Sequence, residues 1–225
     1  TDAAGCVGTA SVDISQPATF VSAIGSFTNV SCFGLSDGGA TILVNGGTAP
    51  YTYSWPPSVQ TGSVLINVPA STYTGNITDA NGCVATASMT LVNPPAMAAS
   101  ITSSSVTCFG ASNGTAVATS TNGIGIVSYF WTGTPSPVTS QTLTNVSAGN
   151  YTVLCTDQNS CTATAFVNIA QSTQVTANIT ATGSVTCNGG NNGFATVSSS
   201  GGTGGHTYTW SPGGSTSATA GTLTA

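Results

Sequence analysis

The sequence contains no lysine and no arginine, and its only acidic residues are five aspartates, so 2% of its 225 residues are charged and the net charge is −5. Soluble domains ordinarily carry about 25% charged residues. A chain without a cationic side chain cannot displace counterions from a phosphate backbone, which excludes nucleic acid as a partner. It also has no basic patch to hold it at an anionic membrane surface. No apolar run reaches the roughly 18 residues that a spanning helix needs, so membrane insertion is not expected. A single histidine, His206, and seven cysteines without a CxxC pair do not resemble a zinc site, and neither metal nor cofactor is expected. Serines are abundant but have no recurring base, which a nucleophile needs within hydrogen-bond reach; the chain is not expected to be an enzyme. The opening residues TDAAGCV lack the charged and apolar parts of a signal peptide, so targeting information has been lost or was never part of this stretch.

What the sequence does have is repetition. Tyr73 to Cys83 (YTGNITDANGC) returns as Tyr151 to Cys161 (YTVLCTDQNSC), and the second half appears again as Thr1 to Cys6 (TDAAGC). Cys32, Cys108 and Cys187 are 76 and 79 residues apart, as are Trp55, Trp131 and Trp210, while Cys6, Cys83 and Cys161 are 77 and 78 apart. Agreement among three landmarks defines a domain-sized tandem repeat. Residues 1–17 then read as the closing strand of a preceding or neighbouring-subunit domain, 18–94 and 95–172 as complete repeats, and 173–225 as a third repeat lacking its last strands. The joint at Asn93, Pro94 and Pro95 should be stiff, and that at Gln171, Ser172 and Thr173 should bend more easily.

Each repeat alternates short strands with turns and shows no helical period. Ser36, Asp37 and Gly38 make a turn, echoed by Ser112–Gly114 and Asn191–Gly193. Strands are expected at Ala40–Val44, Tyr51–Trp55, Val64–Val68, Tyr73–Ile77 and Val84–Val92, with Val7–Ile14 and Thr162–Ile169 matching the last. About seven short strands in under 80 residues read as an antiparallel sandwich. Tyr51, Tyr53 and Trp55 share one face, as do Val127, Tyr129, Trp131 and His206, Tyr208, Trp210, so the three tryptophans are expected as core anchors. Asp2, Asp79 and Asp157 occupy one turn position. A calcium ion wants about six to eight oxygens, usually with several carboxylates, and one carboxylate per turn fits an aspartate bracing backbone amides.

Cys32 to Trp55 (CFGLSDGGATILVNGGTAPYTYSW), followed by Ser71 to Pro95 (STYTGNITDANGCVATASMTLVNPP), resembles the SprB repeat. That repeat occurs in tandem in very large surface adhesins of gliding and other Bacteroidota, and is more distantly similar to PKD and other immunoglobulin-like domains. The resemblance covers essentially the whole chain, with CNGGNNG replacing CFGLSDG and a shortened segment after Trp210 in the third copy. It implies an all-β fold of tandem immunoglobulin-like antiparallel β-sandwiches in a linear array. It further implies type IX secretion, an extracellular place on the bacterial cell surface and a role in surface filaments, adhesion or gliding motility. In such a sandwich the first strand is expected to end at the pole where the last begins, pairing Cys32 with Cys83 and Cys108 with Cys161. Closing loops of 51 and 53 residues is worth roughly 4 kcal/mol in the chain-entropy account. Cys155 aligns with Ile77 on the inward face and is expected as a buried free thiol.

The two ends read as complementary halves of one domain. Joining Ala225 to Thr1 of another copy gives AGTLTATDAAGC, with 11 residues from Ala220 to Cys6 against 13 in the complete copies. A continuous polypeptide or separate subunits linked by strand donation would both satisfy this, head to tail. The break inside a strand favours the continuous chain, and in either case Cys187 is expected to bond Cys6 of the neighbouring copy. Two functions remain: a disulfide-stapled building block of a filament or stalk whose partners are neighbouring copies, and a carbohydrate-binding adhesin module holding surface polysaccharide on exposed aromatics.

Overall fold

The structure is a computed structural model that describes residues 1–15 and 21–225. The fold is all-β, built of tandem immunoglobulin-like antiparallel β-sandwiches. Two compact units, Thr1–Ala96 and Met97–Ala225, divide the chain two residues beyond the NPP boundary read from the sequence. The first unit holds β1 (Val21–Thr28), β2 (Gly38–Asn45), β3 (Thr52–Ser54), β4 (Val64–Val68), β5 (Thr72–Thr78) and β6 (Val84–Thr90). They form two three-stranded sheets, β1-β2-β4 and β3-β5-β6.

The second unit repeats the plan with β7 (Ala98–Ser104), β8 (Gly114–Thr121), β9 (Ser128–Thr132), β10 (Thr142–Val146), β11 (Gly149–Thr156) and β12 (Thr162–Ile169). Its sheets are β7-β8-β10 and β9-β11-β12. A further sheet in this unit, β13-β14-β15, contains β13 (Thr176–Gly183), β14 (Gly193–Ser200) and β15 (Thr219–Leu223) of the third repeat.

Period-two alternation builds each core. On β5 it turns Tyr73, Gly75 and Ile77 inward, and on β11 Tyr151, Val153 and Cys155. Ala40, Ile42, Trp55, Leu65, Tyr73, Ile77 and Leu91 close one core, and Ala116, Ala118, Trp131, Leu143, Tyr151, Val153 and Ile169 the other. Burying each large side chain stabilises the fold by about 1.5–3 kcal/mol. Polar ends are matched as well. The indole N–H of Trp55 donates to Gly62 O at 2.7 Å and that of Trp131 to Ser140 O at 2.9 Å. The hydroxyls of Tyr73 and Tyr151 donate to Pro69 O and Ser147 O, four residues upstream, each at 2.9 Å. A buried tryptophan on one strand and a tyrosine turned back at the start of another are the immunoglobulin signature. Asn67 and Asn145, both at φ 55°, hold the bulges of β4 and β10 in the left-handed region that asparagine tolerates.

Strand direction fixes two poles. Chain pairing sets Val21 opposite Asn45 and Thr28 opposite Gly39, so β1 runs from the upper pole, where β2 ends, to the lower pole, where β2 begins. The β2–β3 and β5–β6 connections are then upper, and the segment Asn29–Asp37 is lower.

Two expected strands are not formed. Val7–Ile14 is exposed and pairs with no strand among the described residues, because an extended segment becomes a strand only when a neighbour takes its backbone groups. His206–Trp210 has no strand beside it equivalent to β5 or β11 among the described residues, and Trp210 is half-buried rather than a core anchor. The expected boundary at residues 17 and 18 lies outside the described residues.

Candidate functional site

At the upper pole the aspartates are turn braces. Asp79 Oδ1 accepts the amides of Asn81 and Cys83, each at 2.9 Å, and Oδ2 accepts that of Thr48 in the β2–β3 loop at 2.9 Å. Asp157 repeats this with Asn159 and Cys161 at 2.9 Å and Ile124 at 2.8 Å. Both residues are only 6% exposed. Amides of Cys83 and Thr48 hold the Asp79 carboxyl below the usual carboxylate range, and those of Ile124 and Cys161 do the same for Asp157, against the opposing effect of burial.

The lowered values give a pH dependence. Unfolded aspartate titrates near 3.9, so below that value the unfolded chain binds more protons than the folded one. Stability is therefore expected to hold from neutral pH to about 5, then fall as pH drops through about 3.9 toward the lowered folded values. Thermal melts across pH 2.5–7 check this (roughly the acid window that the aspartate value defines), and a double Asp79→Asn, Asp157→Asn variant should flatten the profile. Since each carboxylate already accepts three amides, EDTA is expected to leave the Tm unchanged. A rise of several degrees on adding calcium would show that these turns hold the ion.

The lower pole has its own clamp, one that sequence reading missed. Asp37 Oδ1 accepts the Ser31 amide at 3.0 Å, Asn113 Oδ1 that of Thr107 at 3.1 Å and Asn192 Oδ1 that of Thr186 at 3.0 Å. The constant spacing of six from Ser or Thr to Asp or Asn was the available signal. Hydrogen bonds to Ser31 hold the Asp37 carboxyl below its usual range. Between each pair lies a tight turn closed by Leu35 N–H to Cys32 O at 3.2 Å, Ala111 N–H to Cys108 O at 3.1 Å and Gly190 N–H to Cys187 O at 2.9 Å. Gly34, Gly110 and Gly189 take φ of 78°, 74° and 76° there, a conformation glycine alone adopts freely.

These loops carry the family match. The SprB repeat model matches residues 24–60, 100–135 and 176–215, together just over half of the chain and each running from the first strand to beyond the tryptophan. The chain belongs to the SprB repeat family. Among curated proteins none matches it. Two solved structures are similar: one titled for the structural basis of Dscam isoform specificity, at 8% identity, TM-score 0.26, covering 68% of this chain and 46% of that one; and the N-terminal eight Ig domains of DSCAM isoform 1.30.30, at 14% identity, TM-score 0.26, covering 73% and 28%. The chain thus spans less than half the length of either.

The SprB repeats correct the disulfide pairing read from sequence. Cys83 and Cys108 are free thiols, so neither Cys32–Cys83 nor Cys108–Cys161 forms, while Cys32 and Cys161 are in disulfide linkage. Cys32 and Cys108 belong to lower-pole loops, and Cys83 and Cys161 to upper-pole turns. An eight-residue β2 at about 3.3 Å per residue separates the poles by roughly 25 Å, whereas a disulfide needs Cα atoms within about 7 Å. The first strand ends at the pole opposite the one where the last begins. Cys6 and Cys187 are free and exposed, and Cys155 is a fully buried free thiol whose titration burial pushes up.

Within the second unit a cleft of about 550 Å³ separates the lower pole of the second SprB repeat from the upper loops of the third. Cys108 and Phe109 line one wall; Val175, Gly202, Thr203 and His206 line the other. His206 is fixed by Ser199 Oγ at 2.6 Å from Nδ1 and Gly201 O at 2.9 Å from Nε2, which leaves the ring bound to its own loop. No described helix is long and apolar enough to cross a membrane.

Proposed function

We propose that the chain is a structural building block of an extracellular, head-to-tail filament or adhesin stalk on the bacterial surface. One observation supports this most. The tryptophan, tyrosine and aspartate features common to both complete repeats are internal braces, and the exposed aromatic that recurs, Phe33 at 61% and Phe109 at 52% exposure, is in the lower-pole loop. Phe109 lines the cleft toward the third repeat rather than an outward face. Under this reading the chain is exported by the type IX secretion system and serves adhesion or gliding motility as a spacer.

A second reading, a carbohydrate-binding adhesin module, is favoured by the same exposed rings, since aromatic faces stack on sugars. Two experiments separate them. Antibody to the repeats should decorate intact cells and the signal should be lost on brief external proteolysis, while a glycan array should stay blank. Glycan binding that disappears in Phe33→Ser and Phe109→Ser variants would make the adhesin module the function.

A further inference from the structure

We propose that the segment following each tryptophan is an edge guard, which denies the strand after it to a β-strand of a second copy of this chain. A spacer and an adhesin module would need this protection alike.

Strand order leaves one side of each complete repeat open. β1 packs against β6 and β7 against β12, so those edges cover each other, while β4 and β10 stand at the opposite edges of their sheets. Ile42 N–H donates to Ser63 O at 2.9 Å and Ala118 N–H to Gln141 O at 3.1 Å. Antiparallel pairing alternates, so Ser63 and Leu65 turn their backbone groups to β2, and Val64 and Ile66 turn theirs outward. Thr142 does the same on β10 and, with Val197 N–H on Ala218 O at 2.9 Å, so does Thr219 on β15. Such outward groups are a template for another chain, and proteins commonly blunt them with lysine or other charges. This sequence has no lysine, so a second copy meets no cation there. Pairing on β4 would also cover the exposed side chains of Leu43, Val64 and Ile66, which makes another copy the partner that this edge fits.

Uncharged side chains occupy the outward groups instead. In the first repeat the Gln60 side-chain amide imitates a paired strand: Ile66 N–H donates to its Oε1 at 3.1 Å, and its Nε2–H donates to Ile66 O at 2.7 Å. In the second, Ser140 Oγ–H donates to Thr142 O at 2.6 Å, and in the third Ser217 Oγ–H donates to Thr219 O. The tryptophans hold these guards in place. Indole N–H groups of Trp55, Trp131 and Trp210 donate to the carbonyls of Gly62, Ser140 and Ser217, and the last two are the guards themselves. Main-chain N–H groups of Trp131 and Trp210 donate to Val138 O at 2.9 Å and Ser215 O at 3.0 Å, so the same segment also lies along the strand that carries the tryptophan. Gly62 stands where the other two repeats have serine. A Cβ there would meet Val64 O at 3.7 Å and Val64 N at 3.8 Å, ordinary contact distances from which a serine hydroxyl could cap Val64 O.

The test uses the whole chain with its exposed thiols blocked by iodoacetamide, so that only non-covalent association counts, and reads it by sedimentation equilibrium. Gln60→Ala is expected to self-associate at least about tenfold more tightly than the unaltered chain, and adding Gly62→Ser should restore the unaltered value. In hydrogen exchange the Ile66 amide should lose protection in dilute Gln60→Ala and regain it as concentration rises, which a loosened loop alone would not do. Self-association no tighter than that of the unaltered chain would overturn the guard. So would association that Gly62→Ser leaves in place, or that leaves the Ile66 amide unprotected. Circular dichroism checks that the variant is folded. If Gln60→Ala is not, Ser140→Ala puts the same question to β10: tighter association supports the guard and unchanged association overturns it.

Discussion

Trp131→Ala is expected to unfold the second repeat at temperatures where the rest of the chain stays folded. The indole is 1% exposed and sits among Ala118, Leu143 and Val153. Truncating a buried tryptophan costs about 3–5 kcal/mol through lost contact and residual cavity. For a domain of this size each kcal/mol moves the Tm by about 4–8 °C, so the transition should drop by on the order of 20 °C. The change also leaves Ser140 O without its donor. Trp131→Phe, which keeps most of the ring but loses that N–H, should cost less than the alanine change. Trp210→Ala, at a half-buried site, should cost least of the three. Differential scanning calorimetry on the three variants checks the order, and equal losses at Trp131 and Trp210 would contradict the packing described.

Gly75→Val should destabilise the first repeat, and Ile42→Ala should rescue it. A Cβ on Gly75 would meet Ile42 Cδ1 at 2.1 Å and Trp55 Cζ3 at 3.0 Å. Overpacking of this kind costs about 1–3 kcal/mol, and Ile42→Ala alone leaves a cavity costing about 2–5 kcal/mol. The second repeat has the pair the other way round, Ala118 with Val153, both fully buried against the tryptophan. These are the positions where antibody domains place their inter-sheet disulfide, and here a large residue on one sheet faces a small one on the other. A double-mutant cycle read by urea unfolding should therefore give a favourable coupling between the two changes. Simple additivity would mean that the two residues do not share one space.

Much of the fold could be read from the sequence because its signals are local and repeated. The recurring Cys and Trp intervals mark domain-sized units, and alternation along Tyr51–Trp55 and Tyr73–Ile77 marks strands with an inward face. The sandwich follows from those two facts. Pairing of the cysteines could not be read in the same way. It depends on which pole each loop occupies, and that is set by the order β1-β2-β4 and β3-β5-β6, for which spacing carries no signal. Val7–Ile14 shows the complementary limit: its pattern is that of a strand, but hydrogen bonding to a neighbour decides whether one exists. The half-burial of Trp210 has the same origin.

The poles also set how a repeat bears load. In the first complete repeat the chain enters β1 at the upper pole and leaves β6 at the lower, where Val92 N–H is tied to the Asn29 side chain. Tension applied through the two ends pulls β1 lengthwise past β2, loading all seven paired positions of that ladder together instead of opening them one at a time like a zipper. Tension on such a repeat therefore works against the shear strength of a whole strand, the geometry in which a small sandwich resists extension best.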